Sequence, residues 1–266
     1  MLHLLQRDVF GERHYSILVE ALERLGLRYI PVSIRPGTRV LVDENNEPIS
    51  LSTKNVFCWG SVKMAHIAAD YRWRPGSFMN ENHDQRVYAE HYGAEMLNHG
   101  GLTVKFGEAF EAPSPLFFAR PCGDTKAFTG QVFMKSSWDE FVAASLAKGR
   151  RDTLNEETFV HVAPRKDIQR EFRTWVVQGK VVTASQYKIG TRVVYERCDE
   201  PMVLQYAQRM ADLYQPANAF VLDVCLTDDG MRIVEVNCIN CAGFYDADLQ
   251  KLLGAVEEAF GEAVPI

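Results

Sequence analysis

The sequence predicts an α+β protein, with an α/β segment over residues 1–102 and a larger α+β region over 103–266. Three observations carry this reading. The first third alternates strand-like and helix-like patterns in a β-α-β order, which favours parallel pairing. From about residue 103 that rhythm gives way to short strands joined by tight turns. Residues 223–237 then read as a hairpin with one apolar face and one face holding two acids and an amide. The 266 residues suit one large domain or two smaller ones.

The elements follow in order. Residues 2–5 form a short strand. Residues 15–25 place apolar side chains at helical spacing, with Gly26 as the stop, and residues 29–34 are the next strand. Residues 39–42 and 48–51 flank the turn-rich Glu44-Asn45-Asn46-Glu47. A strand at 55–59 leads through Gly60-Ser61 into a helix ending near Tyr71, and Asn82 opens a longer helix to about Leu97. Pro113 and Pro115 mark an open connection. Strands at 116–120 and 131–134 enclose a polar loop, 121–130. Ser137 and Glu140 fit a capping box, the serine capping a helix to about Ala147 and the glutamate reaching back. Residues 148–152 form a solvated exit, and 158–162 a short strand. Residues 171–177 and 181–188 pair over Gln178-Gly179, a helix runs from Pro201 to Tyr214, and an amphipathic helix closes the chain over 246–260.

Composition bounds the function. Hydrophobic residues make up 47% and charged residues 24%, as in ordinary soluble proteins. No apolar run approaches the roughly 20 residues of a membrane span, and the first residues lack a signal-peptide pattern. A net charge of -6 argues against binding nucleic acid by bulk electrostatics. Six cysteines in a chain this long do not resemble a secreted disulfide framework, which points to a cytoplasmic protein with reduced thiols.

Four constellations carry chemistry. In the acidic hairpin, a three-residue loop Asp228-Asp229-Gly230 makes Asp223 and Glu235 cross-strand partners and sets Val221 opposite Asn237. Opposed Cβ atoms lie about 4.5–5.5 Å apart, so the two like charges repel unless a cation sits between them. Asp, Glu and Asn on one face suit a hard cation such as Mg²⁺ with phosphate oxygens, and the plain alternative is a solvent-facing pair. The other face, Leu222, Val224, Val234 and Val236, reads as core. The loop 121–130, with Arg120 before it and Lys135 after it, carries Lys126, Thr129 and Gly130. Its backbone N–H groups can cradle an anion, although no Walker A run is present. In the third, a two-residue turn at Gln178-Gly179 sets Arg173 opposite Ala184 and Glu171 opposite Gln186, bringing Glu171, Arg173, Gln186 and Lys188 to one face. Such cations offset charge developing in phosphoryl or acyl-phosphate chemistry. The fourth is Cys238-Ile239-Asn240-Cys241, a thiol-redox motif, half a zinc site, or two small buried thiols. His161 lies within a strand as a structural or pocket residue, and Arg72 and Arg74 form an anion-binding loop or a tight turn.

Together these segments resemble the ATP-grasp superfamily over residues 103–260. Phe118-Ala119-Arg120-Pro121 resembles its first nucleotide-binding strand, and Glu171-Phe172-Arg173 its acid-x-Arg hairpin. Asp223, Glu235 and Asn237 resemble its metal-binding acids and asparagine. The tail Asn237 to Tyr245 is similar to a bacterial and phage clade named for two arginines and a lysine. Arg120 stands where many relatives have lysine, and Lys188 where arginine is common. The resemblance implies two α+β subdomains, 103–162 and 163–266, clasping ATP behind a pre-grasp-like domain at 1–102. It further implies a carboxylate–amine ligase acting through an acyl phosphate and releasing ADP and phosphate. Arg120, Lys126, Thr129, Gly130 and Lys135 would then meet phosphates, and His161 and Val162 would lie at the adenine. Asp223, Glu235 and Asn237 would hold Mg²⁺, with Mn²⁺ as the alternative ion. Arg173 and Lys188 would stabilise the acyl phosphate, while Arg72, Arg74, Asn240 and Tyr245 would face the acceptor. The partners implied are a small-molecule or peptide carboxylate and an amine, with no membrane and with a homodimer as one assembly. The rival readings are a phosphotransferase, a non-catalytic nucleotide-binding protein, and a thiol protein using Cys238 and Cys241.

Overall fold

The structure is a computed structural model that describes residues 1–125, 127–149 and 154–261. Lys126 and part of the 148–152 exit lie outside the described residues. Three sheets organise the chain. The first contains β1 (Leu2–Gln6), β2 (Arg28–Ile34), β3 (Leu41–Val42), β4 (Asn55–Trp59) and β5 (Arg74–Gly76), with α1 (Glu12–Arg24) and α2 (Val62–Asp70) as crossovers. Its order is β3-β2-β1-β4-β5, parallel except for the β2–β3 pair. The βαβ rhythm of the sequence is therefore realised. Arg72–Ser77 is more than a turn, however: it contains β5, the fourth strand of the parallel array. Pro75 lacks an N–H, so the segment is tolerated as a strand because it lies at a sheet edge.

The helix expected at 82–97 is shorter. It runs as α3 (Gln85–Tyr92), capped by Asp84, whose carboxylate accepts from Arg86 N at 2.9 Å. Gly93, at φ 51°, stops it in a conformation that favours glycine. A second, antiparallel sheet follows, built from β6 (Leu102–Lys105), β7 (Phe117–Pro121), β8 (Gln131–Phe133) and β9 (Phe159–Pro164), in the order β6-β9-β7-β8. α4 (Lys135–Leu146) packs on it through the buried Trp138, among Phe106, Phe117 and Phe133. α4 starts two residues before Ser137, with Met134 as a cap that lacks a side-chain bond. The capping box is therefore not formed, because Ser137 already lies inside the first turn.

The third sheet is wholly antiparallel. It contains β10 (Arg170–Val177), β11 (Lys180–Ile189), β12 (Arg192–Arg197), β13 (Ala219–Thr227) and β14 (Gly230–Cys238), ordered β12-β11-β10-β13-β14. α5 (Pro201–Leu213) covers one face over Phe172, Val176, Phe220, Leu222, Val224 and Val236. The other face changes character along each strand. Trp175, Val177, Ala219 and Val221 join one core with Leu18 and Leu22 of α1, Phe57 and Trp59 of β4, and Leu252, Leu253 and Val256 of α6 (Leu249–Phe260). Two residues on, at the same side-chain parity, stand Arg173 and Asp223. The period of two thus carries each strand out of a hydrophobic contact with the first sheet and into a polar cleft.

Both hairpins of this sheet depart from ideal register. At β13–β14 the turn is one residue tighter than expected, with Thr227 opposite Gly230. A bulge at Val234 restores the count, so Asp223 faces Glu235 and Val221 faces Asn237. Val234 consequently leaves the core face and lines the cleft, and Ile233 takes its buried place. At β10–β11 the two-residue turn forms, with φ positive at Gln178 (49°) and Gly179 (73°). Bulges beside Trp175 and Glu171 then slide the register, setting Arg173 opposite Ser185 and Glu171 opposite Lys188. The expected partners Ala184 and Gln186 are displaced, and Gln186 instead accepts from Arg170 at 2.6 Å. A bulge reverses the side-chain parity beyond it, which explains the exchange.

Candidate active site

The second and third sheets face each other across a cleft of about 910 Å³. One wall carries Val234 and Glu235 of β14, with Asp223 of β13 and Asn237 buried beside Glu235 rather than lining the cleft. Asp223 (1% exposed) receives two charge-assisted hydrogen bonds from Arg173 (6% exposed), Nε to Oδ1 at 2.8 Å and Nη2 to Oδ2 at 2.7 Å. Asn237 Nδ2 donates to Glu235 Oε1 at 2.9 Å and Asp223 Oδ2 at 3.4 Å. Burial pushes the Asp223 carboxyl up to about 6, and Glu235 adds to this while Arg173 opposes it. Two carboxylates and an amide thus share one small volume, with Arg173 paired to Asp223 and Arg120 to Glu235. Among the described residues no group of three His, Cys, Asp or Glu side chains is placed to hold a metal ion. A cation here would therefore draw on two carboxylates, the Asn237 amide and oxygens from a ligand. That all-oxygen donor set fits Mg²⁺.

The opposite wall is β7 and its loop. Alternation along β7 buries Phe117 and Ala119 and turns Phe118 and Arg120 to the cleft. Arg120 spans the gap, with Nη2 2.7 Å from Glu235 Oε2 and Nη1 3.3 Å from the Tyr88 hydroxyl. Thr129 and Gly130 also line the cleft. A Cβ on Gly130 would lie 2.7 Å from Phe118 Cζ and 3.1 Å from Arg120 Cβ, so only glycine lets the loop run this close. The loop is tied across the cleft by Asp124, whose Oδ2 accepts from Cys238 N at 3.0 Å. At the mouth, Lys188 Nζ lies 2.6 Å from Glu171 Oε1, and the Tyr187 hydroxyl donates to Glu171 Oε2 at 2.8 Å. Burial, then the Asp223 and Glu171 carboxylates, hold the Tyr187 phenol well above its ordinary range, so it remains a donor.

Other sequence candidates lie elsewhere. Lys135 opens α4, pairs with Asp139 and sits over the Phe110 ring, away from the cleft lining. His161 is buried under the 98–101 turn, with Nε2 3.1 Å from Asn98 O, and Val162 is fully buried in the core. Neither side chain lines the cleft: Val162 pairs with Ala119 on the buried face, and the 98–101 turn covers His161. The segment that reaches the cleft is the next one, 165–168, which joins β9 to β10. Arg72 and Arg74 stand at the N-terminal end of β5, whereas open parallel sheets present ligands at their carboxyl ends. At that carboxyl edge lies Asn240 (2% exposed). Its Nδ2 donates to Cys58 O at 2.6 Å, its Oδ1 accepts from Phe78 N at 2.8 Å, and its backbone carbonyl accepts from Gly60 N at 2.8 Å. Asn240 is thus a staple between first and third sheets. Tyr245 lies under the Arg173 guanidinium, 4.7 Å from its ring centroid, and stacks on Tyr187 and Tyr195 at 4.9 and 5.1 Å.

The sequence reading missed Asp124, Tyr187 and 165–168. The charged run Arg165-Lys166-Asp167 between two strands was a usable sign of a linker. Nothing local marks Asp124 as a partner of Cys238, which is 114 residues away.

A family model for an ATP-grasp domain, family 3 of the clade named for two arginines and a lysine, matches residues 39–256. The chain belongs to this ATP-grasp family. Among curated protein sequences none matches. The fold is similar to that of the D-cycloserine synthetase DcsG, with a TM-score of 0.61, 16% identity, and 97% of this chain and 98% of that chain covered. It is also similar to a RimK domain ATP-grasp protein from Sphaerobacter thermophilus (TM-score 0.62, 14% identity, 98% and 100% covered). A third likeness is to D-alanine–D-alanine ligase from Bacillus anthracis complexed with ATP (TM-score 0.62, 10% identity, 97% and 96% covered). These identities speak for shared architecture. Among the described residues, no helix of this ATP-grasp protein is long and apolar enough to cross a membrane.

Proposed function

We propose that this ATP-grasp protein is a Mg²⁺-dependent carboxylate–amine ligase that forms an acyl phosphate and releases ADP and phosphate. The observation that carries the reading is that Glu235, opposite Asp223 in the register and hydrogen-bonded to Asn237, lines one cleft with Arg120 and the Thr129-Gly130 loop. Acids that hold a cation and a basic, glycine-bearing loop are what a polyphosphate requires on its two sides. The resemblance to synthetases and ligases that join small molecules supports C–N bond formation.

In this reading the 165–168 linker offers backbone groups to the base, and Arg120 with the loop N–H groups takes the phosphates. Asp223, Glu235 and Asn237 hold the cation, whose contribution when bound is to neutralise phosphate charge. A substrate carboxylate oxygen attacks the γ-phosphorus, the bond to ADP breaks, and an acyl phosphate results. An amine then attacks the acyl carbon, the C–O bond to phosphate breaks, and the nitrogen loses its proton. Lys188 faces the developing phosphate charge. Arg173 is a positioning residue, because its bonds to Asp223 and Gly243 O and its stack on Tyr245 already engage it. Orientation and charge neutralisation carry the catalysis, with no side-chain nucleophile.

Hydroxylamine tests this without knowledge of the natural amine. With Mg-ATP and a panel of amino acids and dipeptides, a ligase yields ADP, phosphate and a hydroxamate in equal amounts. A phosphoester with no free phosphate would instead establish a phosphotransferase.

A further inference from the structure

Three parts of the protein converge on residues 238–241. Cys238 ends β14, directly after Asn237, and a single 3₁₀ turn, Ile239–Cys241, follows it. Cys238 caps this turn in extended conformation and Cys241 is its last residue, so one turn separates the two thiols. Cys238 Sγ also lies 3.4 Å from Asn240 Oδ1 and 3.9 Å from Ser77 Oγ, which belong to the staple at the first sheet. Its backbone N–H is the anchor for Asp124 of the cleft loop. Cys238 is buried while Cys241 is half-buried, so one sulfur of the pair is open to a small oxidant. The remaining four cysteines are all buried. An oxidant must reach the sulfur, which leaves the 238–241 pair, with its half-buried member, as the responsive one.

We infer that Cys238 and Cys241 form a reversible regulatory disulfide that loosens the junction between the acid-bearing strand, the cleft loop and the first sheet. The effect on ATP rests on the proposed nucleotide function, whereas the disulfide itself does not. With a hydroperoxide as oxidant, the Cys241 sulfur attacks the terminal oxygen, the O–O bond breaks, and a sulfenic acid and water (or alcohol) form. The Cys238 sulfur attacks Cys241 Sγ, the S–S bond forms, and the S–O bond breaks to release water that carries the Cys238 proton. Two thiols lose two electrons to the peroxide, and a dithiol reverses the change. Closing the four-residue ring draws Cys238 Sγ away from Asn240 and Ser77 and twists the backbone that presents its N–H to Asp124.

The test treats the intact protein with hydrogen peroxide and then measures three things. Mass spectrometry after alkylation should find a 238–241 linked peptide, reversed by dithiothreitol, with the other four thiols still free after denaturation. Hydrogen exchange at the Cys238 amide should become severalfold faster in the oxidised protein. The Kd for Mg-ATP should rise about tenfold or more, the range seen when partners behind metal ligands are lost. Cys241→Ser should make both exchange and affinity indifferent to peroxide. Absence of the linkage, or a linkage that leaves Cys238 exchange unchanged, overturns the inference. If the reduced protein fails to bind Mg-ATP, the ligase function falls, while linkage and exchange still decide the disulfide.

Discussion

Glu257→Gln isolates the bond that ties α6 to β1. The Trp59 indole N–H donates to His3 Nδ1 at 3.0 Å, so His3 carries its proton on Nε2, which lies 2.7 Å from Glu257 Oε1. The N-terminal ammonium reaches Glu257 Oε2 at 3.2 Å. His3 and Trp59 are fully buried, and the Glu257 side chain is 19% exposed, so the bonds are little screened. The His3 hydrogen bond, then the N-terminal ammonium, hold the Glu257 carboxyl below its ordinary value of 4.5, while burial opposes them. Bonds to a charged group contribute about 1.5–3 kcal/mol, and glutamine retains an acceptor, so the loss should be about 2 kcal/mol. For a chain of this size that is roughly 4–8 °C in Tm. A depressed folded-state value means the unfolded state binds the proton more tightly. The contribution is therefore complete above the unfolded value and disappears as pH falls through the folded one. Urea titrations of both proteins from pH 7 to pH 3 should show a constant gap down to about 4.5 that closes below it. A gap that stays constant across the whole range would refute the reasoning.

Further outcomes follow from the same geometry. Arg120→Met should raise the Kd for Mg-ATP about 10- to 100-fold by isothermal titration, since a charge-assisted bond of about 1.5–3 kcal/mol is lost on one wall. An unchanged Kd would remove Arg120 from the phosphate site. Gly130→Ala should weaken Mg-ATP binding roughly tenfold, because the Cβ meets Phe118 Cζ at 2.7 Å and overpacking costs about 1–3 kcal/mol. Equal affinity would show that the loop shifts freely. Asn240→Ala should cost about 2–4 kcal/mol in urea titration by leaving buried partners such as Phe78 N–H unsatisfied, and a loss under 1 kcal/mol would contradict the staple.

Local patterning made much of the fold legible. The β-α-β order at 2–34 is visible because helical and alternating periods differ. The Asp223–Glu235 pairing was legible too, but through compensation, since a tighter turn and the Val234 bulge cancel in the register. No such cancellation occurs at 171–188, where bulges send Gln186 to the far face. Bulges answer to three-dimensional strain and leave no periodic trace. β5 escaped notice because three residues containing proline carry no strand signal. The roles of Asn240 and Asp124 depend on partners more than 100 residues away, which local sequence does not encode.

The central claim is that Asp223 and Glu235 bind nucleotide through a divalent cation. Titration calorimetry of ATP into the wild-type protein, with and without Mg²⁺, beside Asp223→Asn and Glu235→Gln, tests it most directly. The account predicts tight binding only for wild type with Mg²⁺, and loss of the Mg²⁺-dependent gain in both variants. An equal Mg²⁺-dependent gain in all three proteins would contradict it.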